Sequence, residues 1–543
     1  AFIIACSDGL TDCLRNSDGS IDRDRFRCAA LTGHALFTDE PIPPLPMLRL
    51  TPAMISEHLQ RAARGFAQRV QEKCQLELRR RQLAPAHLAA ELSRAHAGDD
   101  TTIITLAVPS FSGSPAACSS SSTAVSNSEE TYYRGFEEAF EREDQETQIF
   151  YLEKMAKYAL DKGELLKAAH LLNAALAINR NEERQRSLLA RLEQLEVLFF
   201  ESLFNFKPLA TQRLSINDYR KMLFAIRDQV SLRIAEDEPP ESVQQFLTRQ
   251  YKNILSELIH SSINLIGKEP PTSFAIIGLG SMARDEMCPY SDIEFVILIQ
   301  ENTPENTDYF RRLTQFLEFR MTNLGETKHP LIRPKRQADG TMREAVSLAP
   351  GGFSMDIGGL SPLGKPGSYE LIETPGQLAA YQNPAWLAKN DAEIILVNAL
   401  SQTTFVMGDS QLFDSYKKSL SEWLDQDRWT FLRTSKTQER QNRAINFIRG
   451  NLEGFRPYIG EDRVALRAFD AKQDLYRPIQ MAVSGLLLYH GLGRYSTLAG
   501  IEHLQSKGIL SNAGAQNLKQ ALHTALKLRI QTHLFYKKEK EIL

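Results

Sequence analysis

Two uninterrupted apolar runs, "SFAIIGLG" at 273–280 and "EFVILIQ" at 294–300, constrain this chain more than any other feature. They are short, rich in β-branched residues and bounded by glycines and polar residues. That pattern predicts strands covered on both faces. The stretch between them, "SMARDEMCPYSD", predicts a turn and a short helix. On a strand, side chains i and i+2 point the same way, so Asp292 and Glu294 would face one side together.

Paired carboxylates at the mouth of a strand suit a hard divalent cation, which takes oxygen ligands from carboxylates, phosphates and water. Just upstream, Gly280 would let the backbone approach a phosphate, and Ser281 offers a hydroxyl and an N–H. Arg284 is placed to grip phosphate oxygens with two donors. A third carboxylate, Asp356, lies in the apolar run "FSMDIGGL" at 353–360, read as another strand. A lone buried carboxylate is costly there, so Asp356 is the expected third ligand. Phosphoryl and nucleotidyl transfer need such a constellation, because two cations can neutralise the phosphates and align the reacting oxygens.

The rest of the chain sets the frame. Its 543 residues exceed one core, so three or four domains are expected. The net charge of −3 argues against extended nucleic-acid binding. No run is long and apolar enough for a membrane span. The six cysteines are scattered without metal-ligand pairs, which predicts a reduced, cytoplasmic protein. The chain starts at Ala1 directly with a strand-like run, as if cut from something longer.

Residues 1–108 open and close with strand-like runs, "AFIIAC" and "TTIITLAV", around two expected helices near 52–80 and 85–96. A Ser-, Gly- and Pro-rich stretch, 109–131, predicts a flexible linker. From 132 to 265 the spacing is helical, with Gly163 between two amphipathic stretches. Ala156, Gly163, Ala168, Ala175 and Leu176 resemble one tetratricopeptide unit, and a protein partner is a candidate for this region. The pair Pro270-Pro271 is expected to end these helices. A palm-like domain is placed at 266–420, with "AEIILVNALSQTTFVMGD" adding one or two strands. Helices are expected from about 411 to Leu543, with Arg477-Pro478 inside them, and the last domain is placed at 421–543.

"GSMARDEMCPYSDIEF" resembles the nucleotidyltransferase motif of the DNA polymerase β superfamily, in the branch of the PII-protein uridylyltransferases and related transferases with a helical substrate-binding domain. The resemblance covers about 200–543. It implies metal roles for Asp292, Glu294 and Asp356, and nucleotide-phosphate roles for Gly280, Ser281 and Arg284. "TTFVMGDSQLF" is similar to the strand and Gly-Asp turn that follow the catalytic strands. "FDAKQDLYRPIQMAVSGLLLYHGL" is similar to the start of the C-terminal helical domain, with Lys472 and Arg477 at its basic positions. Glu294 stands where Asp is commoner, and Ala283 where Gly is usual. No His-Asp dipeptide occurs, so the nucleotide-removing domain of the PII enzymes is not expected, and PII is a doubtful substrate.

"FIIACSDGLTDCL" and "AGDDTTIITLAV" together resemble the last two motifs of metal-dependent PPM-type serine/threonine phosphatases. That likeness implies metal-ligand roles for Asp8 and Asp99 and only the last part of an α/β/β/α sandwich. The expected fold is therefore multidomain α+β: a polymerase β-like palm flanked by helical domains, behind a partial phosphatase sandwich. The expected activity is transfer of a nucleoside monophosphate from a nucleoside triphosphate to a hydroxyl, with a protein among the acceptors, using Mg²⁺ or Mn²⁺. The alternatives are a bifunctional signalling protein with phosphatase activity in a longer chain, and a non-catalytic helical scaffold.

Overall fold

The computed structural model describes residues 129–209, 214–328, 349–387, 390, 393–429, 436–454, 469–493 and 495–543. The strands and helices expected in 1–108, Asp8, Asp99 and the linker up to residue 128 lie outside the described residues. The described chain is multidomain and mostly helical, with a small mixed sheet. It divides into two units. One holds 129–208 with 319–328 and 349–350; the other holds Leu209–Glu318 and Gly351–Leu543.

The first unit is helical, as its spacing predicts. It contains α1 (Glu129–Glu141), α2 (Gln145–Asp161), α3 (Leu165–Ile178) and α4 (Glu182–Phe204). Asp144 caps α2 by accepting the Thr147 amide, and Asn181 caps α4 by accepting the Arg184 amide. Gly163, at φ +75°, makes the left-handed turn between α2 and α3. Buried Ala156, Ala159, Ala168, Ala169 and Ala175 keep the α2–α3 seam thin. Phe199 stacks on Phe319 at 4.3 Å, and Arg320 pairs with buried Glu196 at 3.4 Å.

The second unit begins with α5 (Ile216–Ala235) and α6 (Pro240–Ile266). Gly267 at φ +67° ends α6 with a left-handed cap, ahead of the proline pair expected to do so. Then come β1 (Phe274–Gly278), the single turn α7 (Gly280–Ala283), β2 (Phe295–Ile299) and α8 (Pro304–Thr322). Both expected strands and the short helix between them are present. After β3 (Ile372–Glu373) follow α9 (Pro375–Ala380), α10 (Pro384–Leu387), α11 (Ile394–Leu400), β4 (Thr404–Gly408) and α12 (Ser410–Leu424). The sheet order is β3-β2-β1-β4, with β1 antiparallel to β2 and β4, and β2 parallel to β3. Ala275, Ile277, Val296 and Leu298 form one face and pack with Leu396, Leu400, Tyr416, Leu420 and Leu424. On the other face Ile276, Ile297 and Ile299 are buried as well, and Phe274 meets Phe310 at 5.3 Å. Burial on both sides is why these strands read as continuous apolar runs.

Two expectations fail here, and a third is met at its lower bound. Residues 353–360 are not a strand: Met355 makes one isolated parallel bridge to Ile293, and Gly351, Gly352 and Gly359 take positive φ and interrupt any ladder. Of the one or two strands expected in "AEIILVNALSQTTFVMGD", one is present, β4, while residues 394–400 are a helix, with Leu396, Val397 and Leu400 buried on one side and Ile395 exposed. A short apolar run does not by itself separate strand from buried helix. The chain beyond 411 is not wholly helical either, because a hairpin of β5 (Asp427–Trp429) and β6 (Lys436–Gln438) interrupts it.

The remaining elements are α13 (Glu439–Gly454), a π-helical turn (Ala471–Tyr476), α14 (Arg477–Tyr489), α15 (Thr497–Ser506) and α16 (Asn512–Tyr536). Buried Leu475, Ile479, Val483, Leu487, Ile501 and Leu522 give them a common core. The π turn has a covalent cause. Pro478 has no N–H, and its ring would strike the carbonyl one α-turn back. The helix widens instead, and the Arg477 amide bonds to the Lys472 carbonyl five residues earlier.

Candidate active site

The site is assembled on the lead-in to β2. The Leu279 amide donates to the Glu294 carbonyl at 2.8 Å, and the Ile293 amide to the Ser354 carbonyl at 2.8 Å. The Asp356 amide donates back to the Ile293 carbonyl at 3.3 Å. These bonds keep residues 292–294 extended, just before β2 begins at Phe295. Asp292 and Glu294 thus share a side, as the strand argument expects, and Asp356 is brought beside them across the Ile293–Met355 bridge. One carboxylate oxygen from each of the three lies within 4.8 Å of the others. The Leu360 amide donates to Asp356 Oδ2 at 2.7 Å and fixes that carboxylate.

Gly280 is required by space as well as conformation. It sits at φ +51°, and a Cβ there would overlap the Glu294 carboxylate. Ser281 and Arg284 follow on α7 and its end, and both line an open cleft with Asp292 and Glu294. Lys472, Tyr476, Arg477 and Arg529 line the same cleft. Every nucleotide-site residue expected from sequence is therefore brought to one cavity. The π turn explains how. A turn that closes after five residues stacks positions five apart, so Lys472 and Arg477 reach the same cleft.

Electrostatics divide the cleft. Burial pushes the Asp292 carboxyl up to about 6; Lys472 opposes this, and Glu539 and Asp356 add to it. Burial and then the Asp292 charge push Glu294 up to about 7, against the pull of Arg284 and Arg477. Like charges held together at a half-buried site are what a divalent cation would relieve, so this donor set fits one. Burial and the neighbouring Arg284 push the Arg477 guanidinium down. Its Nε has no hydrogen-bond partner among the described residues.

Several site residues were given no role from sequence. Glu286, inside the quoted motif, is buried and accepts from the Thr497 amide at 2.6 Å, from Arg284 Nε at 3.2 Å and from the Tyr476 hydroxyl. It ties the loop after α7 to α15 and the π turn. Arg529, on α16, lies 4.3 Å from the centre of the Tyr476 ring and pairs with Glu541 through two bonds of 2.6 and 2.9 Å. Its sequence signal is a cation among the mostly apolar buried positions of that helix. The loop backbone is pinned further: Arg227 Nε and the Tyr251 hydroxyl each donate to the Pro289 carbonyl at 2.6 Å, and the Tyr290 amide donates to His533 Nδ1 at 3.1 Å.

Two family models match this chain. Residues 225–330 match the one described as "Putative nucleotidyltransferase DUF294", and residues 442–542 the one described as "Putative nucleotidyltransferase substrate binding domain". The matches support a nucleotidyltransferase. The first spans α7, Asp292 and Glu294; the second spans Lys472, Arg477 and Arg529. No curated protein matches the chain. Among the described residues, no helix is long and apolar enough to cross a membrane.

Proposed function

We propose that this transferase moves a nucleoside monophosphate from a nucleoside triphosphate to a hydroxyl, with a protein as the acceptor and uridylyl transfer as one specific form. The observation that carries the proposal is the carboxylate cluster, with ligand oxygens within 4.8 Å, opening on a cleft lined by Lys472, Arg477 and Arg529. Asp292, Glu294 and Asp356 would hold Mg²⁺ or Mn²⁺, which when bound would neutralise phosphate charge and align the reacting oxygens.

The chain's own residues do the rest. Gly280 and Ser281 present backbone and hydroxyl to the phosphates. Arg284, Lys472 and Arg477 balance their charge. Glu286 holds Arg284 Nε and so orients its guanidinium. Asp356, steadied by the Leu360 amide, takes the proton of the acceptor hydroxyl as its oxygen attacks the α-phosphate and pyrophosphate leaves. We assign 266–420 as the palm, 421–543 as the substrate-binding helices, and 132–265 as a helical region for a protein partner.

The test is incubation with Mg²⁺ or Mn²⁺ and each α-labelled nucleoside triphosphate, with and without cell lysate. Label on a protein band and stoichiometric pyrophosphate, both lost in Asp292→Ala, are expected. Release of labelled monophosphate with no acceptor labelled would show a hydrolase instead.

A further inference from the structure

Gln480, on α14, is only 3 % exposed and lines the cleft three residues after Arg477. Its Nε2 donates to Ser484 Oγ at 3.0 Å, while its Oε1 has no hydrogen-bond partner among the described residues. A buried amide oxygen without a donor is costly, and each such atom in a folded protein calls for a reason. Two other cleft residues carry buried atoms in the same condition, Arg477 Nε and Arg529 Nη1. Those two are cationic donors and suit an anion. Gln480 Oε1 is a neutral acceptor and suits the opposite partner, an O–H or N–H.

The order along α14 gives the unmet bonds a direction. Arg477 stands at its first turn, and three residues of helix advance roughly 4.5 Å to Gln480. Further along, Met481, Leu488 and, from α13, Phe447 add apolar surface to the cleft around the Ser484 hydroxyl. Along α14 the lining thus runs from a cation, through a neutral acceptor, to side chains that are apolar apart from Ser484. A nucleotide has the same sequence of chemistries: phosphates, sugar hydroxyls, and a flat base edged with N–H groups.

We propose that Gln480 is a specificity-determining residue whose Oε1 accepts a hydrogen bond from a neutral donor of the bound nucleoside, either a ribose hydroxyl or a base N–H. This rests on the nucleotidyltransferase reading of the cleft. Arg477, Lys472 and Arg284 set how tightly phosphates bind; Gln480 sets which nucleoside follows them. The selection works by exclusion. A nucleotide lacking the donor leaves Oε1 unpaired in a site that has also lost its water.

The test is calorimetric titration of the full chain in Mg²⁺ with inorganic tripolyphosphate, the four ribonucleoside triphosphates, and the 2′-deoxy and 3′-deoxy forms of the tightest binder. For the wild type, loss of the recognised donor should weaken binding roughly ten- to a hundredfold. In Gln480→Leu that preference should collapse to within about threefold, with tripolyphosphate affinity unchanged. Retained tripolyphosphate binding also reports that the variant is folded. Gln480→Glu, which keeps an acceptor, should keep the preference while weakening every phosphate ligand. A deoxy effect assigns the ribose, and a base effect without it assigns the base edge. Wild-type discrimination persisting in Gln480→Leu would overturn the proposal, as would an equal loss for tripolyphosphate and every nucleotide. If the wild type binds neither tripolyphosphate nor any triphosphate, the nucleotide reading of the cleft fails, and this inference with it.

Discussion

Two charge clusters of the second unit are built on opposite terms. At Asp292, Glu294 and Asp356, carboxylates are gathered with no cation among the three ligands, and burial pushes the first two up. At Arg529 and Glu541 the charges match. Burial alone would raise the Glu541 carboxyl, yet Arg529 and His533 hold it far below its ordinary value. The pair is closed by two bonds of 2.6 and 2.9 Å, and the Ala471 amide donates to the Glu541 carbonyl at 2.8 Å, anchoring the π turn. The balanced cluster sets a geometry. The unbalanced one is a geometry held for something else, because uncompensated charge persists only where the surrounding fold over-determines it.

The largest effect should come from the unbalanced cluster. Asp292→Ala should lower nucleotidyl transfer by more than about a thousandfold, since metal-assisted charge stabilisation is worth several kcal/mol. The melting temperature should hold or rise, because a like-charge contact with Glu294 is removed. A sharp fall in melting temperature with near-normal transfer would reverse the assignment of the two clusters.

In the balanced cluster, Glu541→Gln should cost about 3–5 kcal/mol in urea unfolding, since it leaves Arg529 buried and unpaired. Arg529→Leu with Glu541→Leu together should cost much less, as both charges leave. A double variant as unstable as the single one would show that packing, not pairing, holds the C-terminus.

Acid and base should separate the clusters further. Asp292 and Glu294 have raised folded values, so their contribution to stability is full below the ordinary carboxylate range and is lost as pH rises from about 4 through 6 and 7. Glu541 has a depressed value, so its contribution is present above about pH 4 and is lost as pH falls toward its folded value. His533 is pushed down by burial, so its neutral form adds stability that is lost as pH falls below about 6.5. In metal-free buffer, the advantage of Asp292→Asn over wild type should therefore grow from pH 4 to 7, while the deficit of Glu541→Gln should shrink as the buffer is acidified below 4. Denaturation midpoints across that range check both signs.

The smallest effect should be Glu294→Asp. It keeps the charge and shortens the stem, and Gly280 leaves room beside it. Transfer should fall by roughly ten- to a hundredfold, with a changed Mg²⁺/Mn²⁺ preference. A loss as deep as that of Asp292→Ala would mean the site tolerates no change in reach.

What was legible from the sequence was local. Gly280, Ser281, Arg284, Asp292 and Glu294 fall within fifteen residues of one another, between two strands whose apolar character reports burial on both faces. Asp356 was visible as a carboxylate out of place among apolar neighbours, although its segment is a glycine-interrupted bridge and not a strand. Lys472 and Arg477 were visible only through a family likeness. The hairpin at 427–438 was misread, and the helix at 394–400 was left open between one strand and two, because short apolar or mixed runs carry no decisive period.

The sequence by itself determined the strand pair, its carboxylates and the glycine beside them, because these depend on neighbours a few residues away. Only the tertiary structure decided which distant side chains complete the cleft. Glu286 meets Thr497 and Tyr476 across some two hundred residues, and Arg529 and Gln480 reach the same cleft. No periodicity carries such pairings, since they arise from how helices pack. The widened turn at Ala471–Tyr476 shows the two levels meeting: Pro478 forbids the ordinary hydrogen bond, and the π turn brings Lys472 and Arg477 to one side.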